Sequence, residues 1–142
     1  MNRKSLEVTI ARLEHHLECW KQFNEYLGLA RNKKFGPDDE TQFLEIKCVI
    51  TQELELITAQ LENLPIRRED AHSLFAAAPS IRYLSENNES DLKILENQWH
   101  KMFMSWQAVL GQLKVRREEL ANQGFIRSLM GAPKSKAQPV DK

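Results

Sequence analysis

Apolar residues recur at helical spacing along most of this chain. Leu6, Ile10, Leu13, Leu17, Trp20 and Leu27 advance in alternating steps of four and three, with Asn24 as the polar member of the series. That is heptad spacing, which keeps one stripe of a helix facing a partner helix. Gly28 and the polar run 31–36 weaken this first helix, and Gly36-Pro37 ends its connection.

A second helix is predicted from Pro37 to Leu64. Pro37 suits a first helical turn, and Asp38, Asp39 and Glu40 complement the helix dipole there. Phe43, Ile46, Ile50, Leu54, Ile57, Leu61 and Leu64 form its stripe, which Leu44, Val49 and Leu56 widen toward a second neighbour. Pro65 is the expected stop. Residues 66–87 read as an irregular connector with a short helix over Glu69–Ala78, broken at Pro79. Asn88, with Asp91 three residues on, marks the start of the last helix. Its seam is Leu92, Leu95, Trp99, Met102, Trp106, Val109, Leu113 and Leu120, and Gly124 is placed to stop it.

The predicted fold is all-α: an antiparallel bundle of three long helices plus a short helical connector. Residues 1–124 form the bundle domain. Residues 125–142 are an amphipathic turn, Phe125, Ile126, Leu129 and Met130, and a flexible basic tail. The layout resembles spectrin-type three-helix repeats, with long heptad helices and a tryptophan in the first (Trp20) and the last (Trp99). Pro65 and Pro79 depart from that pattern, because they divide what would be one long middle helix.

The 142 residues suit a single domain with one core. The formal net charge is +0, so no global field draws in nucleic acid, and none is expected as a partner. The charge is nonetheless segregated. Residues 37–64 carry one basic and seven acidic groups, whereas residues 92–142 carry nine basic and four acidic. No apolar run approaches the ~20 residues of a membrane helix, and no signal peptide is evident, so a cytoplasmic location without membrane insertion is expected.

Chemical motifs are few. The stretch Leu95–Trp106 is dense in Trp, Met and Phe. The heptad register turns Trp99, Met102 and Trp106 inward and His100 outward, which predicts a core wall rather than a cofactor pocket. Met104 falls on the opposite face, where a partner could read it. His15, His16, Glu18 and Cys19 are weak metal-ligand candidates on the first helix. His15 and Cys19 are four apart and share a face, expected to be the solvent face, so a physiological site needs ligands from a second helix. No phosphate loop or nucleophile motif is present.

The expected function is therefore non-enzymatic: a protein–protein interaction module, a small helical scaffold or adaptor with no cofactor. Phe125, Ile126, Leu129 and Met130 either cap the bundle's own end or dock on a protein partner. The alternatives are a self-associating subunit, for which Asn24 and the wide stripe of the second helix suit a homodimer, and a metal-binding bundle.

Overall fold

The computed structural model describes residues 1–61 and 63–131. Among these, all regular structure is helical: α1 (Arg3–Asn32), α2 (Pro37–Thr58), α3 (Arg68–Ala76), α4 (Ile81–Ser85) and α5 (Glu89–Leu129). The basic tail from residue 132 onward lies outside the described residues.

The helix α1 is the central element, packed against α2, α4 and α5, while α3 lies on α5 and α4 also reaches α2. Its neighbours explain its burial pattern. Beside the expected seam it buries a second row, Thr9, His16, Phe23 and Ala30, at steps of seven. A helix with partners on several sides buries more than one stripe. Asn24 is only half-buried, and the core position beside it belongs to Phe23. The Thr9 hydroxyl donates to the Ser5 carbonyl at 2.9 Å, so its burial leaves no unpaired donor.

Gly28 does not interrupt α1. The helix closes one turn later by a Schellman pattern, in which Lys34 N–H donates to Leu29 O and Lys33 N–H to Ala30 O. Lys33 takes the left-handed conformation (φ 57°), which a non-glycine residue adopts at a cost of about 1–2 kcal/mol. Its ammonium donates to the Ser85 carbonyl, which ties this corner to the end of α4.

Asp39 fixes the start of α2 by accepting from Gly36 N–H at 2.8 Å. The helix ends at Thr58, earlier than Pro65 suggests. By leaving the helix, the chain brings Leu61, Leu64 and Ile66 against the core. The connector is held from α2 as well. The Glu40 carboxylate accepts from the N–H groups of Ile81 and Arg82 at 2.8 and 2.9 Å, and Lys47 donates to the Ala78 carbonyl at 2.8 Å. Pro65 and Pro79 thus do divide the middle of the chain, which departs from a three-helix repeat.

As expected, Asn88 starts α5, accepting from Asp91 N–H at 2.8 Å. Trp99 and Trp106 are buried as the register required, and His100 is exposed. The Trp99 indole N–H donates to the Trp20 carbonyl at 2.8 Å, so the last helix is pinned to the middle of the first. Leu110, rather than Val109, is the last buried residue of α5.

Gly124 does not stop α5, which runs on to Leu129. With 41 residues against 30 in α1, α5 is about 60 Å long against about 45 Å. Ion pairs give the register of the two antiparallel helices: Arg31 with Glu96 at 2.7 Å, Lys114 with Glu14 at 3.2 Å and Arg117 with Glu7 at 3.2 Å. Four residues before Glu7, α1 begins at Arg3, level with Ala121. Every residue from Asn122 to Met130 is exposed. Phe125, Ile126, Leu129 and Met130 therefore do not fold back over the bundle; they project beyond it on a continuous helix.

Candidate functional site

Two features stand out from the packed core: a cluster between α1 and α2, and the outer face of α5.

The cluster corrects the expected orientation of the first helix. His16 and Cys19 are buried, not on a solvent face. His15 is the exposed member, at 63% of its side-chain surface. Glu18 points away and pairs with Lys21 at 2.9 Å. The ligand that a second helix had to supply is Glu53 of α2, which went unpredicted. One ligand atom each from His15, Cys19 and Glu53 lie within 4.8 Å of one another. His15 Nδ1 contacts Glu53 Oε2, and His16 Nδ1 lies 3.4 Å from Glu53 Oε1. Glu53 had a sequence signal: it stands three residues after Ile50 and four before Ile57, both fully buried. A carboxylate at that spacing lies beside the buried stripe.

His16 also supplies the inward polar group that the aromatic stretch of α5 lacks. Its Nε2 accepts from the Trp20 indole N–H at 2.9 Å, and its ring meets Trp106 edge-on, with centroids 5.2 Å apart. That bond needs a lone pair on Nε2, so the proton of the neutral ring sits on Nδ1, toward Glu53. Burial holds the His16 pKa down to about 4 against the pull of Glu53. Burial pushes the Cys19 thiol up to about 11, and the Glu53 charge adds to the effect. Three buried polar atoms lack a hydrogen-bond partner: His16 Nδ1, Glu53 Oε1 and Trp106 Nε1. Two of the three belong to this cluster.

The second feature lies opposite the buried seam of α5. Met104, Ala108, Gly111, Val115, Glu118, Asn122, Ile126 and Leu129 advance by fours and threes along one face of the helix, and all are exposed. Met104 is 53% exposed, Val115 58% and Leu129 70%. Phe125 and Met130 border this stripe at its projecting end. Sequence reading had found Met104 and the C-terminal cluster separately. Continuous helix through Gly124 places them on one face. Gly111 has open space where a Cβ would stand, so the chain's own packing does not demand glycine there. Glycine in an exposed helix interior costs about 1 kcal/mol relative to alanine.

Glu69 and His72, three residues apart on α3, are both exposed and join neither feature. Among the described residues, no helix is long and apolar enough to cross a membrane. No protein-family model, curated protein or solved structure matches the chain. The spectrin-like layout is thus a likeness of pattern alone.

Proposed function

We propose that this protein is a non-enzymatic interaction module of the reducing cytoplasm, and that it works as a self-associating helical scaffold whose docking surface is the outer face of α5. The occupant is the same face of a second copy, run antiparallel. The observation that carries this reading is the exposed stripe from Met104 to Leu129, which no element of the described chain covers.

Self-complementarity favours a second copy. In an antiparallel pairing Met104 meets Leu129 of the other copy, Ala108 meets Phe125, and Gly111 meets Asn122. Ala108 and Gly111 thus oppose larger side chains, which lets the two helix axes approach closely there. A two-fold interface of this kind uses one patch twice and closes on itself. The two cysteines are free thiols, Cys48 exposed and Cys19 buried, which suits a reducing compartment.

Sedimentation velocity from the micromolar to the near-millimolar range tests the proposal. The wild type is expected to move from monomer to dimer as concentration rises. Ala108→Arg and Leu129→Glu are each expected to leave a monomer across the whole range, with helical circular dichroism unchanged because both sites are exposed. A wild type that stays monomeric throughout contradicts the reading, and so do folded variants that dimerise like the wild type.

A further inference from the structure

We propose that His15, Cys19 and Glu53 form a binding site for one zinc-class divalent ion, which clamps α1 to α2. The donor set is chemically apt. An imidazole nitrogen, a thiolate and a carboxylate are the three groups that hold zinc in four-coordinate sites, and Co²⁺ uses the same set.

The geometry is close to that required. Bonds of 2.0–2.3 Å in a tetrahedron place ligand atoms roughly 3.3–3.8 Å apart. Here the three ligand atoms lie within 4.8 Å of one another before any ion draws them in. They come from two helices, with His15 and Cys19 one turn apart on α1 and Glu53 facing them from α2. The chain thus presents ligands from two helices rather than two ligands on one exposed helix. His15 forms its solvent side, which gives the ion an entry path and leaves a fourth position for water.

The buried groups behind the ligands point the same way. Glu53 Oε1 and His16 Nδ1 lie 3.4 Å apart and make no well-formed hydrogen bond with each other or with any other group. Buried polar atoms are rarely left unpaired. An ion on Glu53 gives Oε1 a partner through bidentate coordination. His16 Nδ1 faces the same carboxylate, in the place from which outer groups steady a ligand. The proposed dimer face is on α5, so this site does not depend on self-association.

The test uses full-length protein carrying no histidine tag, stripped with a chelator, in a Cys48→Ser background that removes the exposed thiol. It is titrated first with Co²⁺ and then with Zn²⁺. One Co²⁺ per chain should bind, with the intense d–d bands of a tetrahedral ion and a thiolate charge-transfer band, and Zn²⁺ should displace it and raise the Tm. Cys19→Ser should abolish the charge-transfer band. His15→Ala and Glu53→Gln should each weaken binding by roughly tenfold or more. Glu18→Gln should bind as the background does. His15 is exposed, so its variant keeps the test decisive should substitution at a buried position unfold the chain. Absence of the thiolate band in folded protein overturns the proposal, as does undiminished affinity in folded His15→Ala.

Discussion

Trp20→Ala is expected to lower the free energy of unfolding by about 3–5 kcal/mol, the range for truncating a buried aromatic. Trp20 is fully buried at the junction of the bundle. Its ring stacks on Phe75 of α3 with centroids 5.7 Å apart and meets Phe23 edge-on at 6.3 Å. Its indole N–H satisfies His16 Nε2, and its carbonyl accepts from Trp99. Truncation therefore opens a cavity and leaves a buried nitrogen without its donor. A domain of this size has a total stability of about 5–15 kcal/mol, so the variant should sit near the edge of folding. Urea unfolding at neutral pH measures the change. A loss below about 1 kcal/mol would mean that Trp20 is not at the centre of the core.

Metal-free protein is expected to lose about 3 kcal/mol of stability as pH falls from about 6.5 to about 4, through His16 alone. In the unfolded chain this imidazole takes up its proton near 6.5, whereas burial in the fold delays protonation until about 4. Between those values the unfolded state binds more protons, so stability falls with pH. Below about 4 both states are protonated, and His16 causes no further loss. The titratable groups that act on it are Glu53 on α2 and His15 on α1, while α5 presents the uncharged Trp106 ring. His16→Gln keeps an acceptor for the Trp20 indole and removes the titration. Denaturant unfolding across this pH range should show a slope in the wild type that is largely absent in His16→Gln. An equal slope in both proteins would assign the effect to other groups.

The helical character and the main seams were legible in the sequence because Leu, Ile and Trp at heptad spacing have few readings other than core. Trp99 and Trp106 fell inward and His100 outward on that register. The second buried row of α1 was not legible, because Thr9 and His16 are polar, Ala30 is small enough to sit anywhere on a helix, and only Phe23 is a large apolar residue. Which polar residues are buried depends on how many neighbours a helix has, and that is a property of the assembled fold. The same gap hid two of the three proposed metal ligands: Cys19 shares a helix face with His15 yet is buried, and Glu53 is one carboxylate among the apolar positions of α2. The end of α5 was misread for a local reason. Gly124 lowers helix propensity by only about 1 kcal/mol relative to alanine, too little to end a helix with good formers on both sides. Once the helix continues, Met104 and Leu129 share one face.

The most direct test of that face is oxidative cross-linking of Ala108→Cys with Phe125→Cys in the Cys48→Ser background. Within one chain the two positions are 17 residues apart on a rigid helix, about 25 Å, so they cannot pair internally. The antiparallel arrangement predicts a disulfide-linked dimer from the double variant under mild oxidation, and far less from either variant with one added cysteine, the native Cys19 being buried. A double variant that stays monomeric, or that links no better than the single variants, would contradict the docking of α5 on itself.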